Sequence, residues 1–115
     1  MTSTKIETKE LDFIATLIYK PTNLGGRKTP AVSGYRPHIK FDFDEMRTSG
    51  QQVFLNKDLV LPGDTVEAEI RIIAVDYFAH RLSEGMLFEF GEGSTIIGTG
   101  EIIQIVNQRL KKASR

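Results

Sequence analysis

The chain contains no cysteine and no tryptophan, and only two histidines and four prolines. Without cysteine there can be no disulfide, no thiol nucleophile and no thiolate metal site, and the chain suits a reducing compartment. No apolar run approaches the roughly 18 residues that a membrane-spanning helix needs. Residues 1–10 are polar and lack the apolar core of a secretory signal. These absences lead to an expectation of a cytoplasmic protein with no membrane partner. Acidic residues are missing from Phe13 to Phe41, where Lys20, Arg27, Lys28, Arg36 and Lys40 are all basic. From Asp42 to Gly93 the balance reverses, eleven acids against four bases. The tail turns basic again with Arg109, Lys111, Lys112 and Arg115. The formal net charge is zero, so long-range attraction to nucleic acid is weak and only a local basic face can attract a polyanion.

The 115 residues suffice for one domain with a single core. Strand patterns dominate. Leu11–Tyr19 is apolar on both faces and reads as a central strand or one covered on both sides. Ile39, Phe41 and Phe43 alternate with Lys40, Asp42 and Asp44, as a half-buried strand does. Gln51–Leu55 reads as a short strand. Val66, Ala68, Ile70 and Ile72 alternate with Thr65, Glu67, Glu69 and Arg71. Met86, Phe88 and Phe90 repeat the pattern, and a last strand runs from about Thr95 to Val106. Val66, Ile70, Phe41 and Phe88 are therefore expected in the core. Pro62 and Gly63 stand at the centre of a type II turn, and Glu92-Gly93-Ser94 forms a tight hairpin connection. Gly98 and Gly100 suggest a bulge in the last strand. Residues after Asn107 read as frayed chain or a short helix. Six strands without a long amphipathic helix imply an all-β barrel or sandwich.

No catalytic constellation is present. His38 and His80 lack metal-motif spacing, no serine sits in a nucleophile elbow, and no phosphate-binding loop of the Gly-x-x-x-x-Gly-Lys-Ser/Thr form occurs. The chain is expected to be no enzyme and to need no cofactor. What stands out is Gly25-Gly26-Arg27-Lys28-Thr29-Pro30, with Gly34-Tyr35-Arg36-Pro37 shortly after it. The glycines open backbone angles that other residues avoid, and the prolines hold Thr29 and Arg36 extended. Arg27, Lys28 and Arg36 are thus expected on a stiff loop, either facing a polyanion or paired with neighbouring carboxylates.

These two blocks resemble the start of the C-terminal, third domain of bacterial elongation factor Tu. That family reads Gly-Gly-Arg-His-Thr-Pro and then Gly-Tyr-Arg-Pro-Gln; here Lys28 replaces the His and His38 the Gln. The likeness continues, in the family's order, through Val60-Leu61-Pro62-Gly63-Asp64, Leu82–Phe88 and Glu92–Gly100, and covers about residues 11–106. It implies a six-stranded antiparallel Greek-key β-barrel between a polar extension (1–10) and a basic tail (107–115). It also implies a noncatalytic translation module that contacts the backbone of tRNA or another structured RNA and lacks the family's GTPase domain. By motif position the RNA-binding residues are Arg27, Lys28, Thr29, Arg36, His38, Glu92 and Gly93, with Arg27 bridging phosphates two-pronged.

Two positions depart from the family by losing positive charge, Ala74 and Thr95. The connection Ala74–Arg81 is about four residues longer than the family's. There Tyr77 and Phe78 stand side by side: either at least one is exposed at a loop tip, or Phe78 tucks under its own loop and Tyr77 covers the barrel rim. They carry the alternative reading, a protein-interaction module that mimics the factor's third domain and engages the exchange factor, another factor domain or a toxin. On this reading Val75, Tyr77, Phe78, Ile97 and Ile103 form an apolar patch suited to a partner or to a homodimer.

Overall fold

In the computed structural model, which describes residues 10–113, the chain is all-β. Its strands are β1 (Phe13–Tyr19), β2 (Ala31–Val32), β3 (His38–Phe41), β4 (Arg47–Phe54), β5 (Leu59–Val60), β6 (Thr65–Ile72), β7 (Leu87–Glu92) and β8 (Thr95–Ile105). Six of them close a barrel in the order β1-β6-β4-β3-β7-β8, with β8 returning to β1, and every neighbouring pair is antiparallel. β3, β4 and β6 form a meander and β1 lies beside β6, the Greek-key arrangement. Closure removes the open edges that an antiparallel sheet would otherwise expose to unwanted pairing. The short β2 and β5 pair outside the barrel, Ala31 with Val60 and Val32 with Leu59.

Inward side chains follow the pleat. Phe41, Val66, Ile70 and Phe88 are all buried, as their alternation predicts. Phe13, Phe41 and Phe88 meet edge-to-face with centroids 5.7–6.2 Å apart, the favoured geometry for packed rings. The irregularity expected in β8 is present: Phe90 pairs with Gly98 and Gly91 with Ile96, which leaves Ile97, beside Gly98, without a partner on β7, and Ile103 is passed over in the same way between Gln104 and Ile102 opposite β1. The two glycines also make room for aromatic rings. A Cβ on Gly98 would lie 2.2 Å from Phe90 and one on Gly100 2.3 Å from Phe88. At the Leu61–Asp64 turn the Asp64 amide donates to the Leu61 carbonyl at 3.0 Å and Gly63 has φ 93°, as a type II turn requires.

Two local expectations are corrected and a third is decided. β1 is covered on one face only: Phe13, Ala15, Leu17 and Tyr19 are buried, whereas Ile18 is exposed. β4 begins at Arg47, four residues ahead of the expected Gln51. Its inward positions there are Thr48, Gly50 and Gln52, which leave no apolar trace. Of the two forms expected for the tail, the short helix is found and fraying is not: the 3-10 helix η2 (Gln108–Leu110) buries Leu110 in the core, and the Leu82 amide donates to the Leu110 carbonyl at 2.9 Å.

Candidate nucleic-acid interface

The loop from β1 to β3 wraps one end of the barrel. A 3-10 turn, η1 (Thr22–Leu24), ends in Gly25 at φ 100°. Gly26 passes so close to the β1 exit that a Cβ there would lie 1.9 Å from the Lys20 carbonyl oxygen. Glycine is therefore needed at both positions, for different reasons: backbone angle at Gly25 and space at Gly26. The Thr22 hydroxyl then donates to the Arg27 carbonyl at 2.5 Å and fixes the loop's path.

Arg27 organises the remainder of the loop. Its Nε donates to the Thr29 carbonyl at 3.1 Å, and Nη2 donates to Thr29 Oγ1 at 3.1 Å and to the Pro30 carbonyl at 3.2 Å. Nη1 donates to the Glu92 carboxylate, which also accepts from the Tyr35 hydroxyl. The guanidinium carbon lies 4.6 Å from the centre of the Tyr35 ring. Only 19% of the side chain is exposed. Burial works against the charge on Arg27, but its bonds to Tyr35 and Glu92 outweigh burial and raise its pKa. Burial raises the Tyr35 phenol as well, and the neighbouring Glu92 carboxylate adds to that rise. Deeper in the barrel, burial pushes the Tyr19 phenol up, with a further contribution from Tyr35. Its hydroxyl donates to Gln52 Oε1, one of the inward polar groups of β4.

Of the expected RNA-binding residues, Arg27, Lys28, Thr29 and Glu92 line one groove and His38 is tied to Gly93, whereas Arg36 is not in the groove's lining; they also divide by role. The two-pronged phosphate grip expected of Arg27 is not available, because its fork is already engaged by Glu92, Thr29 and Pro30. Thr29 is an acceptor for Arg27. His38 Nε2 lies 2.7 Å from the Gly93 carbonyl, and Nδ1 is buried with no partner, so His38 ties the Gly93 turn to β3. Lys28 and Arg36 are exposed and have no ion pair among the described residues. The carboxylate pairing that would pin Arg36 is thus not found there. Glu92 forms an ion pair with Arg27, so the two charges offset each other locally. Gly26, Arg27, Lys28, Thr29, Glu92, Thr95 and Ile97 line an open groove of about 330 Å³. The polar links Arg27–Glu92–Tyr35 and Tyr19–Gln52 escape sequence reading, since each joins residues 33 to 65 positions apart.

The lengthened connection after β6 folds over the opposite end. Phe78 is fully buried against Phe41, Phe43 and Tyr77, at 5.0, 6.2 and 4.9 Å between ring centres. It cannot present itself to a partner, which removes it from the expected contact pair. Tyr77 is 45% exposed. Its hydroxyl donates to Asp44 Oδ2 at 2.8 Å, and Arg81 Nη2 donates to the same oxygen at 3.0 Å. The expected apolar patch does not assemble, because Ile97 and Phe78 are both buried, while Ile103 stays exposed.

Among the described residues no three His, Asp or Glu side chains gather closely enough to hold a metal ion, and no helix is long and apolar enough to cross a membrane. No family model matches the chain.

Proposed function

We propose that this chain is a noncatalytic binding module of translation that holds the backbone of tRNA or another structured RNA along the Gly26–Thr29 groove. The observation that carries this reading is the pair of exposed cations without an ion pair among the described residues, Lys28 and Arg36, on a loop that is already rigid. Little ordering entropy then remains to be lost when a phosphate docks. The single carboxylate lining the groove, Glu92, is offset by Arg27, so the groove does not repel an anion. The resemblance to the third domain of elongation factor Tu supports the same face. Lys28 and Arg36 serve as the phosphate contacts, and Arg27, Tyr35, Glu92 and His38 hold the surface in shape. Contacts of this kind position a backbone without reading sequence, and an A-form helix is recognised largely in that way.

A titration with bulk tRNA at two salt concentrations tests the proposal. Lys28→Ala should weaken binding of any tRNA similarly and lower the salt slope by roughly one ion. Arg27→Ala should lower both affinity and melting temperature, because it dismantles the loop. No binding by the parent protein at low salt up to about 100 µM, the weak end of nonspecific affinity, would refute the RNA reading and leave the protein-interaction module in its place.

A further inference from the structure

β3 and β7 each run from one end of the barrel to the other. His38 and Glu92 lie at the loop-bearing end. Phe43 and Met86, just beyond Phe41 and Leu87, lie at the far end. There Phe43, His80, Arg81, Met86 and Lys112 line a second groove of about 250 Å³. Its apolar surface comes from Phe43, 41% exposed, and Met86. Its rim carries the cations Arg81 and Lys112, with the His80 ring beside them.

We propose that this groove docks an acidic segment of a partner protein, seating one apolar side chain against Phe43 and Met86 with flanking Asp or Glu side chains facing the rim. Charge complementarity points to this occupant. Three carboxylates of the surrounding surface are each committed to a cation: Asp44 to Arg81 at 3.0 Å, Asp76 to Arg109 at 2.5 Å and Glu84 to Lys111 at 3.5 Å. Lys112 is exposed and has no ion pair among the described residues, which leaves the rim with surplus positive charge. The same packing disfavours a nucleobase. One face of Phe43 lies against Phe41, with ring centres 6.1 Å apart at 16°, and the Arg81 guanidinium sits 4.8 Å from the Phe43 centre. Arg81 is itself held between Phe43 and Tyr77, 5.0 Å from the latter. Phe41 and Arg81 together take up much of the Phe43 ring surface that stacking would need, whereas ring edge and thioether suit an aliphatic side chain. Small grooves that admit one anchor side chain, with Tyr, Arg and Met around them, have the composition of interface hot spots. The tail as far as Lys112 is held beside the groove and not in it: Leu110 is packed in the core and Lys112 donates its amide to the Leu82 carbonyl at 2.7 Å.

The probe is a fluorescein-labelled peptide with one Leu between runs of Asp and Glu, monitored by anisotropy and by amide shifts of the labelled protein. Binding should shift the amides of Phe43, Met86 and Lys112. Exchanging the peptide's Leu for Gly should weaken it by about tenfold or more, as removal of an anchor from its pocket does. Lys112→Glu should weaken it several-fold, while Lys57→Glu, the same charge change on a distant surface lysine, should leave it within twofold. The inference is overturned if the peptide moves none of those amides at millimolar concentration. It is equally overturned if a peptide with Lys in place of Asp and Glu, or an oligouridylate, binds there as well as the probe, or if the two lysine variants behave alike. None of these results depends on the tRNA titration, which reads the other end of the barrel.

Discussion

Asp12 shows how much one polar side chain can hold. It is buried just ahead of β1. Its Oδ2 accepts from the Ile72 amide at 2.8 Å and its Oδ1 from the Asn107 side-chain amide at 2.9 Å. Its carbonyl accepts from the amides of Val106 and Asn107, both at 3.0 Å. One residue thereby joins the start of β1 to the ends of β6 and β8. Asp12→Ala should cost about 1–3 kcal/mol for each buried donor left without an acceptor, read as a lower urea midpoint at unchanged m-value. A midpoint equal to the parent's would show that water replaces the carboxylate without loss. Nothing around Asp12 in the sequence announces this role, since its partners lie 60 and 95 positions away. Arg27 differs in this respect. The Gly25–Pro30 motif marked it as important, but only the position of Glu92 assigned its guanidinium to holding the loop and not to a ligand.

At the scale of elements, legibility tracks what each strand turns inward. β6 alternates Val66, Ala68, Ile70 and Ile72 with polar neighbours, and its limits are readable to the residue. Ile70→Ala should lower stability by roughly 2–5 kcal/mol, the transfer of a buried side chain plus the cavity it leaves. A melting temperature within a degree of the parent would mean that the barrel refills the space. β4 is as long as β6, yet its first half is silent, because a small residue and two polar ones face the interior. Gly50 accommodates Ile39, whose Cδ1 would lie 2.2 Å from a Cβ there, and the Thr48 Oγ1 accepts from the Ala74 amide at 3.1 Å. Periodicity detects apolar burial and nothing else. β1 misleads in the opposite sense, since the apolar Ile14 and Ile18 lie on its outer face.

The molecule as a whole should have a stability plateau bounded by two kinds of ionisation. Asp44 is held below the ordinary carboxylate range first by the Met46 amide and then by the Tyr77 hydroxyl. Glu84 is held low first by the Ile105 amide, at 2.9 Å, and also by Lys111, against a smaller opposing effect of burial. The fold therefore binds these protons less tightly than the unfolded chain does. Their stabilisation is complete above the ordinary carboxylate range and is lost as pH falls through the depressed values. The Tyr19 and Tyr35 phenols are raised, chiefly by burial. Their stabilisation is complete below about pH 10, the ordinary phenol value, and falls as pH rises beyond it and the unfolded chain ionises first. Melting temperature against pH should show both limbs. Glu84→Gln should flatten the acid limb and Tyr35→Phe the alkaline one. An acid limb with the same slope in Glu84→Gln as in the parent would remove Glu84 from the account.

What the sequence determined by itself was the all-β class, the turns at Leu61–Asp64 and Glu92–Ser94, the inward faces of β6 and β7 and the loop on which the candidate site rests. These are local properties: a period of two, a glycine with positive φ, a proline with fixed φ. The tertiary structure decided the rest. It closed the barrel through β1 and β8, put the rings of Phe88 and Phe90 over Gly100 and Gly98, and brought Glu92 to Arg27 and Asp44 to Arg81. It also buried Phe78 beneath Tyr77 and anchored the tail through Leu110. Most of these pair residues far apart in the chain, and which of two neighbouring aromatics lies under the other, or which cation meets which carboxylate, is set by the path of the backbone through space.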